Sequence, residues 1–179
     1  MKKALLIASV LFIAVISTAC INNIAVQELN NKAAEFMQKG DYDAAMNRLE
    51  ASIDLDSSMY ETYYNLGIAA TNAKKYEKAI EAFQNGLKVR ADFANFYYSL
   101  AIAQAEYSEE LLKIDEESSK KEVSEDDKLK SKELKLSAVE NAKKYLELSP
   151  QAEDKEDVEE FIEDLLEEDK EEPTKVLKG

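Results

Sequence analysis

Sliding this chain along itself by 34 residues lays it over itself. Gly40-Asp41-Tyr42-Asp43-Ala44-Ala45 falls on Lys74-Lys75-Tyr76-Glu77-Lys78-Ala79, and Ala45, Leu49, Ile53 and Leu55 fall on Ala79, Phe83, Leu87 and Val89. Upstream, Leu29 falls on Tyr63 and Tyr97, and Ala33 on Gly67 and Ala101. A period of this length means a small supersecondary unit that cannot bury its apolar face alone and is stacked so that neighbours share one core. The units must be helical. Ala, Leu, Glu and Lys are strong helix formers, and 4 Gly and 2 Pro in 179 residues are too few for the turns of an all-β sandwich.

The second unit carries the pattern most fully, as Tyr63-Tyr64-Asn65-Leu66-Gly67, then Tyr76, Ala79, Phe83 and Gly86. It resembles the tetratricopeptide repeat, with Tyr where that family opens on Trp. Gly67, Ala79 and Gly86 would let two antiparallel helices approach, while Tyr63, Leu66, Tyr76 and Phe83 fill the gaps. Tyr97, like Tyr63, is read as core. The resemblance implies an all-α solenoid of helical hairpins, with about three repeats and a C-terminal capping helix. The first repeat spans residues 26–59 and the second 60–93. Ser57 and Ala91 stand where Pro usually closes such a unit, and Lys32 stands where later repeats have Leu66 and Leu100.

The third repeat, 94–150, opens in register at Asn95-Phe96-Tyr97-Tyr98-Ser99-Leu100-Ala101, but its second helix arrives late, at Ala138 to Pro150. The difference is an insertion near 110–134. Two overlong helices, joined near Ser118–Ser124, would project as a charged arm, either as a partner-specific feature or as a solvated elaboration. Residues 151–172 form an amphipathic helix with Val158, Phe161, Ile162, Leu165 and Leu166 on one stripe. They carry 13 acidic and 2 basic side chains. Capping the array is the first role for this helix and binding a partner the second. Pro173 stops it, leaving 173–179 as a tail.

In proteins of this resemblance the first helices of successive repeats line a concave groove that holds a partner peptide or helix. By register the lining is Asn30, Asn31, Ala34 and Met37, then Tyr64, Asn65, Ile68 and Asn72, then Asn95, Tyr98, Ser99 and Ile102. An Asn amide both donates and accepts, so it reads a peptide backbone regardless of sequence. Tyr64 and Tyr98 follow the core tyrosines by one position, about 100° around a helix, and so point toward the groove. A subclass of the family captures C-terminal carboxylates with a cluster of cations. Asn30, Ala34, Asn95 and Ser99 stand in their places here, which argues against acidic C-termini. The groove suits a neutral or mildly basic, partly apolar segment.

The N-terminus reads as an export signal. Met1-Lys2-Lys3 supplies positive charge, and Ala4 to Ala19 is uncharged and apolar. These 16 residues are short for a spanning helix, which needs about 20. Residues 1–19 form the signal peptide. Ile16-Ser17-Thr18-Ala19-Cys20 resembles a bacterial lipoprotein lipobox in relaxed form, with Ser17 replacing the usual Leu. Cys20 is then the lipid-attachment residue and 20–25 a short tether. Ordinary signal-peptidase cleavage at the same bond, leaving a free thiol, is the alternative. The lipobox implies a lipid-anchored protein of the bacterial cell envelope, on the periplasmic side of the outer membrane in a Gram-negative host.

What the chain lacks narrows the chemistry. It has no His and a single Cys, which removes His-based sites, Cys-cluster zinc sites and an internal disulfide framework. A net charge of −14 opposes nucleic acid as partner. No catalytic motif, metal site or cofactor site is expected. The reading is a membrane-anchored adaptor or scaffold that binds another envelope protein in its groove. The alternative is a component that binds a small apolar ligand beside an envelope transporter.

Overall fold

The computed structural model describes residues 24–113 and 122–168, and every regular element among them is helical. Helix α1 covers residues 24–38. It is followed by α2 (Tyr42–Leu55), α3 (Tyr60–Asn72), α4 (Tyr76–Val89), α5 (Ala94–Leu112), α6 (Glu125–Leu148) and α7 (Lys155–Glu168). They pair as antiparallel hairpins, α1 with α2, α3 with α4 and α5 with α6, and α7 packs last. The chain folds as an all-α tetratricopeptide-type solenoid. Residues 1–23, which hold the expected signal peptide, Cys20 and most of the tether, lie outside the described residues, as do 114–121 and the expected tail.

Two hairpin turns are built alike. Asp41 N–H donates to Phe36 O and Gly40 N–H to Met37 O. Thirty-four residues on, Lys75 N–H donates to Ala70 O and Lys74 N–H to Thr71 O. Each turn thus closes its helix with a left-handed residue, Gly40 at φ 72° and Lys74 at φ 56°. Asp41 then caps α2, its carboxylate accepting from Ala44 N–H at 3.1 Å. The third equivalent position is Ser108, and there the chain does not turn. α5 continues to Leu112, so the return helix starts late at its own cap, Ser124, whose hydroxyl accepts from Asp127 N–H.

Two apolar clusters make the core. The first joins Ala33, Leu49, Leu66, Ala79, Phe83, Phe96 and Leu100, spanning the first two hairpins and the start of α5. A Cβ on Gly67 would overlap the Phe83 ring, and one on Gly86 the Phe96 ring. Glycine here makes room for an aromatic ring, since protein interiors are close-packed. The second cluster is Ala101, Ala105, Ala138, Val139, Ala142 and Tyr145 with Val158, Ile162 and Leu165 of α7. Small residues at the α5–α6 seam let the two longest helices lie close. Val158, Ile162 and Leu165 of the α7 stripe are buried on this pair and Phe161 is half-buried, while Leu166 at the end of the stripe and the acidic face stay exposed.

The extension of α6 is not a free arm. Lys130 donates to Glu77 Oε1 at 2.8 Å and to Tyr107 Oη at 2.7 Å, and Tyr107 donates to the same carboxylate oxygen at 2.6 Å. The Tyr107 ring also stacks on Tyr76, 5.9 Å between centroids. The helices are overlong as expected, yet residues from 125 onward lie back along α5 and reach the start of α4.

Candidate functional site

Helices α1, α3 and α5 run in the same direction, because each is followed by an antiparallel return helix, and each first helix bonds to the next at nearly one repeat's spacing. Thr62 Oγ1 donates to Asn30 Oδ1, and Ser99 Oγ to the Tyr64 hydroxyl. Each helix presents one stripe at spacings of four, three and four residues. It runs through Gln27, Asn31, Ala34 and Gln38, then Glu61, Asn65, Ile68 and Asn72, then Asn95, Ser99, Ile102 and Glu106. On α1 the whole stripe is exposed. On α3 Glu61 and Asn72 are exposed while Asn65 and Ile68 are half-buried, and on α5 Asn95 is exposed and Ile102 half-buried.

The side chains of Asn31, Asn65 and Asn95 make no hydrogen bond to any described residue. Their amides can bond a ligand without first breaking a bond within the protein. Asn72 donates to Ile68 O at 2.8 Å, which fixes its amide at the end of the α3 stripe. Gln27, Gln38, Glu61 and Glu106 belong to this surface and were not singled out from the sequence. Extending the 34-residue register by one helical turn in each direction would have found them.

Four expected groove residues point elsewhere, and a fifth, Ser99, lies on the stripe but is covered. Asn30 donates to Val26 O at 2.9 Å and to Ser52 Oγ at 2.7 Å, and it accepts from Thr62 at 3.2 Å. Its amide therefore joins α1, α2 and α3 beside two fully buried hydroxyls. Tyr64 packs edge-on against Phe93 and Phe96, both at 5.6 Å. Tyr98 stacks on Tyr145 at 5.1 Å and meets Phe161 of α7 edge-on at 6.5 Å. Burial, then the charges of Asp154 and Asp157, raise the Tyr98 phenol above its ordinary pKa. Ser99 is buried under the Tyr64 hydroxyl, and Met37 is half-buried against the first cluster.

The reason is a phase of one residue. Positions 30, 64 and 98 are equivalent and face the next hairpin. Tyr63 and Tyr97 are half-buried and pack against the two clusters from their edges. Tyr97 sends its hydroxyl to Ala91 O, and Tyr63 lines an open pocket of about 210 Å³ with Glu50, Lys78 and Glu81.

The repeat seen in the fold is also recognised in the sequence. The tetratricopeptide repeat profile matches residues 60–93, and a second profile described as TPR repeat matches 33–70. Residues 33–93 are tetratricopeptide repeats. A curated relative, small glutamine-rich tetratricopeptide repeat-containing protein 2 of Mycosarcoma maydis, is 33% identical over 60 residues. That match takes in 34% of this chain and 17% of the relative, so the chain matches about a sixth of that protein's length.

Solved tetratricopeptide domains share the fold. The first TPR domain of human RPAP3 superposes with a TM-score of 0.62 at 15% identity, covering 83% of this chain and 97% of that one. The first TPR of Spaghetti (RPAP3), solved bound to the HSP90 peptide SRMEEVD, gives 0.60 at 15% identity over 79% and 93%. The TPR2B domain of yeast Sti1, solved as a complex with pHsp70, gives 0.62 at 14% over 81% and 98%.

Proposed function

We propose that this chain is an interaction adaptor that holds a segment of another envelope protein on the stripe of α1, α3 and α5, and is tethered to a membrane through lipid on Cys20. The observation that carries the binding reading is the set of unbonded amides at Asn31, Asn65 and Asn95 on three parallel helices. Two of the structural neighbours were solved with peptide or protein partners, HSP90 peptide SRMEEVD and pHsp70, which supports the same use of this fold. The stripe has Glu61 and Glu106 and no Lys or Arg. A neutral or mildly basic segment with some apolar side chains therefore suits it better than an acidic tail.

The small-ligand alternative calls for an enclosed apolar cavity. The pocket beside Tyr63 is flanked by Glu50, Lys78 and Glu81 and is open to water, so the segment-binding reading stands ahead of it. Cys20 in its lipobox-like setting supports the tether. Two or three acyl chains at about 0.8 kcal/mol per buried methylene hold a protein on a bilayer durably.

The test is affinity capture from detergent-solubilised envelopes with wild type and Asn31→Ala/Asn65→Ala, after both are shown to melt alike. A partner recovered by wild type and lost by the variant supports the stripe. A partner kept by both moves the binding surface to α7 or the α6 extension. The intact mass of the purified protein tests the anchor. An acylated Cys20 at the N-terminus is expected, whereas a free thiol there supports ordinary signal-peptidase cleavage.

A further inference from the structure

The second helices end at one end of the solenoid, and their last residues are not buried. Leu55, Val89 and Leu148 close α2, α4 and α6 at 43%, 42% and 38% exposure. Leu55 and Val89 are equivalent by the 34-residue register, and Leu148 follows once the insertion is allowed for. Because the hairpins are antiparallel, the first helices begin at this same end, and Ile24 at the start of the described part of α1 is 65% exposed. Single exposed apolar residues are ordinary, but a row repeated across three hairpins is a feature of the array. Half-buried Tyr60 and Phe93 flank it, with the Arg90 guanidinium 4.4 Å over the Tyr60 ring. An aromatic beside a cation at the rim of an apolar row is the composition found at membrane interfaces.

The sequence supplies the occupant. Cys20 lies four residues before Ile24, a reach of at most about 14 Å when extended. We propose that this edge, with Ile24, Leu55, Val89 and Leu148, rests on the bilayer that holds the Cys20 anchor, so that the solenoid stands on its end with the Lys74 and Lys75 turn away from the lipid and the α5–α6 end, at Leu112 and Glu125, farther still. The proposal rests on the anchored reading above. The lipid class follows from charge. Asp54, Asp56 and Glu147 beside the row are partly offset by Lys88 and Arg90, and the chain as a whole carries a net charge of −14, so a zwitterionic headgroup fits and an anionic one is repelled. With the solenoid upright, the stripe of α1, α3 and α5 runs away from the bilayer, from Gln27, Glu61 and Asn95 at the lipid edge to Gln38, Asn72 and Glu106 in water.

The experiment couples the mature chain, Cys20 to Gly179, through the Cys20 thiol to a maleimide lipid in phosphatidylcholine nanodiscs doped with a gadolinium-chelating lipid. Chemical coupling makes the result independent of whether cells acylate Cys20, so failure here is distinct from failure of the anchor reading. Methyl NMR signals of Leu55, Val89 and Leu148 are expected to lose intensity while those of Leu112 and Leu129 at the far end persist. Leu55→Ser/Val89→Ser/Leu148→Ser, checked to unfold at the same denaturant concentration as wild type, is read on the methyls of Ile24 and Ile53, which report the same edge in both proteins, and is expected to abolish their attenuation relative to the far end. Equal loss at both ends, or a difference that survives the triple substitution, overturns the proposal. Adding phosphatidylglycerol is expected to weaken the attenuation, and strengthening it would overturn the zwitterionic assignment.

Discussion

Asn30 and Tyr64 occupy the same position in successive repeats, and each binds the helix that opens the next one. Around Asn30 stand Ser52 and Thr62, and it bonds both. Around Tyr64 the equivalent positions are Gly86 and Phe96, with the Phe96 ring set over the glycine. One joint is closed by hydrogen bonds and the next by aromatic edges, in the same backbone geometry. At the third joint Tyr98 stacks on Tyr145, whose hydroxyl donates to Asp154 at 2.7 Å.

The polar joint makes Asn30 a stability residue. Asn30→Ala leaves the buried hydroxyls of Ser52 and Thr62 without this partner, at a cost of about 1–3 kcal/mol. Asn31→Ala, one position on and exposed, is expected to change stability by less than about 0.5 kcal/mol. Urea unfolding followed by circular dichroism distinguishes the two. Equal effects would mean the Asn30 network contributes nothing.

The aromatic joint predicts a reversed sign for a glycine substitution. In an open helix Gly→Ala stabilises by about 1 kcal/mol. Gly86→Ala instead drives a methyl into the Phe96 ring and is expected to destabilise by about 1–3 kcal/mol. Gly86→Ala/Phe96→Leu should cost less than the two single changes added together, because the smaller side chain clears the methyl. A full denaturation cycle measures that coupling, and strict additivity would contradict the clash.

Lys74 holds the left-handed conformation that its equivalent, Gly40, adopts freely. That conformation costs an L-residue roughly 1–2 kcal/mol. Lys74→Gly is therefore expected to raise the denaturation midpoint despite the added freedom of the unfolded chain. Lys75→Gly, which loses the 2.6 Å ion pair with Asp43 and relieves no such strain, is expected to lower it. The same direction for both would contradict the turn geometry.

Burial, then the hydrogen bond to Asp154, pushes the Tyr145 phenol up from 10.0 to about 12. Above pH 10 the unfolded chain gives up this proton while the folded one keeps it, so the unfolded state is favoured as pH rises toward 12. Stability is expected to fall by on the order of 1 kcal/mol through that window from this group alone. Tyr145→Phe begins less stable, having lost the hydrogen bond, and declines less steeply between pH 10 and 12. Parallel pH profiles for the two proteins would refute the assignment.

The architecture was legible because period and helix chemistry agree. Each small residue that recurs at 34, such as Ala33, Gly67 and Ala101, sits where a helix must approach another. The rotation of the first helices was harder to read. Tyr63 and Tyr64 are adjacent tyrosines about 100° apart, and nothing in their identity says which one meets Phe96. What settles it is the partner set Gly86 and Phe96, which becomes visible only once α4 and α5 are placed. The course of the insertion was hidden for a related reason. Lys130 and Glu77 are 53 residues apart, and no local pattern pairs them.

Position-specific photocrosslinking tests the binding stripe most directly. A benzophenone amino acid replaces Asn65 on α3 in one protein and exposed Gln84 on α4 in another, each irradiated in native envelopes. The account predicts a discrete adduct from position 65 that fades when Asn31→Ala is added, and none from position 84. Adducts of equal yield from both positions, or from position 84 alone, would contradict it.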